Sequence, residues 1–276
     1  MSQPGVSNHV TQLETQVGLK LINRERGAFG LTKEGKIVFR YARQIDAIAR
    51  DLEDKFRILR KDSLPLLRIG TTVNYARKIM PHLLGGFNKN SPHIKIKLNS
   101  GSSVEVEKAL LSGQDDVTIA AYPHTSKKIA SFPFVKEQLV LIAALNHPLA
   151  HEQTVSLADI RSYPFIIRED GSATRSVVLN AFSKMNIIPS VLIEANNTEF
   201  IKEWVSQEKG VSILIERSID DEDSAYLKTI PLIEPLFLEV SVAYLKSKKH
   251  DPSVEAFIRY VKEITESPDS ACALQR

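Results

Sequence analysis

One cysteine, Cys272, stands in a polar C-terminal tail, so no disulfide can form within the chain. No apolar run approaches the ~20 residues of a membrane span. No basic-then-apolar leader opens the sequence either. These absences predict a cytoplasmic protein without a membrane partner. Catalytic signatures are missing as well: there is no HExxH, GxSxG, P-loop or GxGxxG. The seven histidines, His9, His82, His93, His124, His147, His151 and His250, show no metal-ligand spacing. The chain is therefore not expected to be an enzyme, and no cofactor or metal is expected.

What is present is an ordinary core-forming composition, 43% apolar and 25% charged over 276 residues, enough for about two domains. The net charge of +3 is unevenly placed. Residues 1–62 hold twelve Lys and Arg against eight Asp and Glu, whereas the remainder holds twenty-four against twenty-five. A basic N-terminal segment suits a phosphate-facing surface, although charge alone fits any solvated face equally well.

The N-terminal 35 residues carry the sharpest pattern. Ser2 suits an N-cap and Pro4 a first helical turn. Val6, Val10, Leu13 and Val17 recur at helical spacing and define one buried face. Gln3, Ser7, Asn8, His9 and Gln12 occupy the start and the other faces, and Gly18 closes the helix. Arg24, Arg26 and Lys33 flank the turn Gly27-Ala28-Phe29-Gly30, where cations can meet phosphates.

This stretch resembles the second half of the winged helix-turn-helix of LysR-type transcriptional regulators. Gln3-Pro4-Gly5-Val6-Ser7 matches the start of the family's recognition helix. Leu13-Glu14, Gly18 and Leu21 match its next segment, with Ile22 where Phe is usual, and Arg24 with Leu31-Thr32-Lys33-Glu34-Gly35 matches the wing and its exit. The resemblance runs, more loosely, to about residue 265. It implies that Gln3, Pro4, Ser7, Asn8, His9 and Gln12 face double-stranded DNA, with Arg24, Arg26 and Lys33 on phosphates. Gln and Asn can pair bidentately with adenine. His9 stands where the family commonly carries Arg.

The family places further helices before the reader, and they pack behind it. The sequence as written starts without them. Val6, Val10, Leu13 and Val17 are then expected to lose partner surface, at about 1.5–3 kcal/mol for each side chain left unburied. Either the start codon is placed late, which the intact reader favours, or a truncated form binds DNA weakly.

From Thr32 to about Leu59 the chain lacks proline, and Val38, Tyr41, Ile45, Ile48, Leu52, Phe56 and Leu59 form a heptad-like seam. It predicts a linker helix that pairs with a second copy; packing on its own domain is the alternative. Family resemblance implies a homodimer that assembles further into a tetramer, and admits RNA polymerase as a partner. Beyond the hinge at 61–65, strands are expected at 66–70, 94–98, 117–121, 137–145, 165–167, 190–195, 211–215 and 236–246. Helices are expected at 75–87, 104–111, 173–185, 198–207 and 253–264. Alternation of this kind implies parallel α/β pairing.

The expected fold is thus α/β: a partial winged helix-turn-helix (1–35), a linker helix and hinge (36–65), a two-lobed periplasmic-binding-protein-like sensor (66–266) and a tail (267–276). Lobe I takes about 66–146 and 236–266, and lobe II about 147–235. Ligands of such sheets sit beyond the carboxyl ends of strands. Thr71, Thr72, Ser100, Ser102, Thr125, Arg168, Thr174, Asn197 and Thr198 are the effector-contact candidates, although Ser, Thr and Asn there also serve as helix caps. Arg168 or Arg175 can neutralise an anion or pair with Glu169 or Asp170. The family implies a small anionic or polar metabolite as effector. The expectation is a bacterial DNA-binding regulator under effector control; a stand-alone small-molecule sensor that has lost DNA binding is the alternative.

Overall fold

The computed structural model describes residues 3–24, 29–59, 64–121 and 126–266. Arg26, Thr125 and Cys272 lie outside them, as do the side chains of Gln3, Pro4, Val6 and Leu59. The chain forms two compact units, Met1–Ser63 and Leu64–Arg276.

In the first unit, α1 (Gln3–Val17) ends at Gly18, whose φ of +71° a side chain would disfavour. The Leu19 N–H then donates back to the Glu14 carbonyl at 3.2 Å, the longer bond of a Schellman turn. Glu14 itself is 5% exposed, and its carboxylate accepts from Leu21 N at 2.7 Å and Ile22 N at 3.0 Å. That clasp aims the chain into the hairpin β1 (Ile22–Asn23) and β2 (Gly30–Leu31), with Ile22 opposite Leu31.

The helix α2 (Lys33–Leu59) follows, capped by the Thr32 hydroxyl, which accepts from Gly35 N at 2.9 Å. Gly35 is required here because a Cβ would collide with the Leu21 carbonyl. The apolar stripe of α1 stays open: Val10 is half-buried, and Leu13 and Val17 are exposed.

The second unit holds β3 (Leu66–Thr72), α3 (Val73–Lys78), α4 (Met80–Asn90), β4 (Lys95–Gly101), α5 (Ser103–Leu111), β5 (Val117–Ala120) and β6 (Ile129–Ala144). Then come α6 (Leu157–Ile160), β7 (Phe165–Arg168), α7 (Ala173–Lys184), β8 (Val191–Ala195), α8 (Thr198–Ser206), β9 (Val211–Ile215), β10 (Leu227–Ile230), β11 (Leu236–Leu245) and α9 (Pro252–Glu266). The sheet order is β4-β3-β5-β11-β6-β9-β7-β8, with β10 on β6.

Parallel triplets lie at both ends of this sheet, β4-β3-β5 and β9-β7-β8. Between them β6 and β11 run antiparallel to each other. The chain passes from the first half to the second in β6 and returns in β11. Both halves have apolar centres: Leu67, Ile69, Val117 and Ile119 are fully buried in one. Phe87 meets Phe257 edge-on at 5.1 Å there, and Phe165 meets Phe182 at 5.7 Å in the other.

Three expectations need correction. The helix expected at 75–87 breaks at Ile79, because Pro81 belongs to the first turn of a new helix. The strand expected at 137–145 is the second part of a 16-residue strand. Pro133 disguised its first part; it sits where the ladder shifts register between Val240 and Ser241, a place that tolerates a missing donor. Ser100, expected after a strand, lies within β4.

The backbone donors of Ile22 and Leu21 hold the Glu14 carboxyl below its ordinary value of 4.5. A depressed folded pKa contributes stability that is present above the ordinary value and lost as pH falls through the folded one. The Leu21 and Ile22 amides are therefore expected to lose hydrogen-exchange protection as pH falls through the depressed Glu14 value, below 4.5, and in Glu14→Ala at every pH. Equal protection in parent and variant would remove Glu14 from this role.

Candidate functional site

At the carboxyl ends of β3 and β7 the two halves of the second unit face each other across a cleft. Thr72, Asn74, Tyr75, Ser102 and Ser103 line it from one side, and Arg168, Glu169, Ser172 and Thr174 from the other. The base is formed by Leu238 and Val240 of β11. The space is small, about 30 Å³, room for about two water molecules.

The reason is visible in the hydrogen bonds. Ala173 N donates to Ser103 Oγ at 3.3 Å, and Val104 N donates to the Gly171 carbonyl at 3.2 Å. First-turn donors of α5 and α7 are thus satisfied by the opposite half. The Thr198 hydroxyl completes the closure, donating to Asn74 Oδ1 at 2.9 Å and accepting from Arg168 Nη1 at 3.2 Å.

Charges bind the cleft mouth. Arg77 and Lys78 of α3 reach Glu199 and Asp220 in the other half, Arg77 lying 2.6 Å from Glu199. Beneath them Lys202 is 2% exposed and sits 2.6 Å from Asp223, 2.9 Å from Glu199 and 3.5 Å from Asp220. Burial, with Arg77 and Lys202 nearby, holds the Lys78 pKa below its usual range.

The structure sorts eight of the nine candidates, Thr125 lying outside the described residues. Thr72, Ser102, Arg168 and Thr174 line the cavity, and Thr198 bridges beside it. Ser102 also caps α5 in a reciprocal box with Glu105, whose carboxyl the Ser102 N–H holds below the usual range. Arg168 splits its guanidinium between Glu169 and Thr198, while Arg175 pairs with Glu194 rather than with Glu169 or Asp170.

Thr71 is fully buried, with its hydroxyl on the Ile119 carbonyl at 2.7 Å, because it faces the other side of β3 from Thr72. Asn197 serves as the cap of α8, and Ser100 is exposed on β4; neither lines the cavity.

Sequence reasoning missed the wall beside the cavity. The Tyr75 hydroxyl donates to Glu137 at 2.5 Å, and Arg217 Nε donates to the same carboxylate at 2.9 Å. Burial, then the adjacent Glu137 charge, push the Tyr75 pKa well above its usual value. Beyond this wall lies a wider opening of about 650 Å³, lined by Lys78, Gln138, Arg217 and Asp221 among others. Glu137 falls on the inward side of the Val135-Glu137-Leu139 alternation, and that was its one sequence signal.

On the first unit, Ser7, Asn8, His9 and Gln12 are exposed along α1, and Lys33 is exposed at the start of α2. Gln3 and Pro4 open α1. Arg24 is half-exposed, yet Nη2 donates to Thr11 Oγ1 at 3.0 Å and lies 3.8 Å from Glu14, which fastens the wing to the helix. On α2, Val38 is half-buried, and Tyr41, Ile45, Ile48, Leu52 and Phe56 are exposed, Ile45 and Ile48 by 68% and 69%. Among the described residues no group of His, Cys, Asp and Glu is placed to hold a metal, and no helix is long and apolar enough to cross a membrane.

Comparison with known proteins places both units. Residues 62–265 match the LysR substrate binding domain, and residues 1–36 match the bacterial regulatory helix-turn-helix protein of the lysR family. The chain is 30% identical to the RuBisCO operon transcriptional regulator of Allochromatium vinosum, over 99% of this chain and 90% of that one.

The regulatory domain of CcmR from Synechocystis PCC6803, solved in complex with 2-PG, superposes with a TM-score of 0.68 at 25% identity, covering 74% of this chain and 99% of that one. The fold of CbnR, a LysR family transcriptional regulator, superposes with a TM-score of 0.68 at 20% identity, over 97% of this chain and 91% of that one. With a helix-turn-helix match at its start and a regulatory-domain match over most of its length, the chain belongs to the LysR family of DNA-binding, effector-controlled transcriptional regulators.

Proposed function

We propose that the cleft between the two halves of the second unit takes a small anionic or polar metabolite, and that this event controls DNA reading by the first unit. The meeting of two helix starts, those of α5 and α7, with Arg168 at one cavity carries this reading. Free first-turn N–H groups and the helix dipole favour an anion. In the closed form those donors are taken up by the Ser103 hydroxyl and the Gly171 carbonyl across the cleft, so a metabolite enters by replacing the bonds from Ala173 to Ser103 and from Val104 to Gly171. A ligand shifts the equilibrium between open and closed forms only as far as it binds the two unequally.

Thr72, Ser102, Arg168, Thr174 and Thr198 are the proposed effector contacts, with Ser103 and Ser172 added from the structure. Gln3, Ser7, Asn8, His9 and Gln12 are the proposed base-facing set, and Lys33 and Arg24 the proposed phosphate contacts. The functional division follows residues 1–35, 36–65 and 66–266. The exposed row on α2 supports a homodimer that presents two readers to a two-fold operator. Assembly into tetramers, contact with RNA polymerase, residence in the cytoplasm and a regulatory rather than catalytic role complete the proposal.

The cleft is tested with a thermal-shift panel of small carboxylates and phosphates on the full chain. A hit is expected to bind roughly 10- to 100-fold more weakly to Arg168→Ala and Thr72→Val, the loss of a bond to a charged group. Thr71→Val is expected instead to lower stability by about 1 kcal/mol, through loss of the buried bond to the Ile119 carbonyl, with affinity unchanged. The opposite assignment of the two threonines would overturn the site. A parent that binds the hit but no duplex would be a stand-alone sensor.

The seam is tested by sedimentation. Replacing Ile45, Ile48 and Leu52 with Glu is expected to leave monomers, and a variant that still sediments as the parent does would refute pairing through α2.

A further inference from the structure

A group of lysines collects far from the cleft. Lys127 and Lys128 precede β6, and Lys246, Lys248 and Lys249 follow β11. The antiparallel pair Ile129–Leu245 brings the two runs together, and Lys246 N donates to the Lys128 carbonyl at 2.9 Å. Lys127, Lys128, Lys246 and Lys249 are exposed and meet no acid among the described residues. Nearby carboxylates are occupied: Asp116 holds Arg68 and Lys248, and Asp251 caps the start of α9.

The position of this corner adds to its charge. Arg68 begins only three residues after Pro65, and the Pro65 carbonyl accepts from Lys95 N at 2.7 Å. Lys95 and Lys97 are exposed along β4, opposite Leu66 and Arg68. The lysines therefore follow the edge of the sheet at which the polypeptide arrives from the DNA-reading unit. From β4 to β6 the sheet order spans four strand spacings, about 19 Å. Neither of the two cavities described above includes these residues. Small ions are held in concave, enclosed sites; a row of flexible ammonium groups on an open edge fits an extended polyanion.

We propose that this basic edge is a second DNA contact, on the phosphate backbone flanking the segment held by α1. It rests on DNA binding by the first unit, and it adds affinity without reading sequence. One chain carries both surfaces, so a duplex long enough to span them meets the edge at a raised effective concentration.

The test is DNA binding by the full chain across a salt series, on duplexes of about 60 and about 20 base pairs. The parent is compared with a variant carrying Lys127→Gln, Lys128→Gln, Lys246→Gln and Lys249→Gln, and with another carrying Arg at all four positions. On the long duplex the Gln variant is expected to bind at least roughly tenfold more weakly at low salt, with a log–log salt slope shallower by about 3. The short duplex is expected to show a smaller loss, and the Arg variant to match the parent. A Gln variant equal to a DNA-binding parent would overturn this proposal alone, and so would an Arg variant as weak as the Gln one. A parent that binds neither duplex would overturn the DNA-reading proposal together with it.

Discussion

The ladder between β6 and β11 is the constraint on which the second unit depends. Its ten paired positions carry the backbone out of one parallel triplet and back from the other, so the two halves share a single sheet. Leu238 and Val240, on the buried side of β11, floor the cavity in which the helix starts converge. An interior break in either strand would free the halves from each other and dissolve the site. Pro133 is tolerated because it sits at the register shift, where a missing donor costs least.

The cleft is held shut by polar groups that would otherwise be left unpaired. Helix-start donors bond across it, and the ion pairs of Arg77 and Lys78 close its mouth. Lys202 shows the depth of that arrangement, since an ammonium 2% exposed is tolerable only with carboxylates around it. Exposed pairs such as Arg77–Glu199 contribute little each, typically about 0–1 kcal/mol. The buried lysine differs in kind, because removing Asp223 would leave its charge uncompensated.

Local patterns were legible in the sequence where one element decides them. The N-terminal helix, its Gly18 stop and the apolar row of α2 each depend on residues within a few positions. Alternation of strands and helices gave the fold class for the same reason. What the sequence hid depends on partners distant along the chain. Thr71 and Thr72 look equivalent until the pleat of β3 sends one hydroxyl to Ile119 and leaves the other on the cleft. Tyr75, Glu137 and Arg217 meet only because α3, β6 and the turn after β9 converge. Glu14 was read as part of a motif, and its physical task, holding the Leu21 and Ile22 amides, appears only when the chain has turned back on it.

The 27-residue helix α2 has a mechanical consequence of its own. At 1.5 Å per residue it is a rod of about 40 Å, with no proline or interior glycine after Gly35 to absorb bending. A rod of that length turns a pivot of one degree at one end into a displacement of about 0.7 Å at the other. Tilts of about five degrees therefore suffice to move one end by roughly the 3.4 Å rise of a base pair. Small angular changes along such a rod correspond to steps on the scale of the DNA lattice.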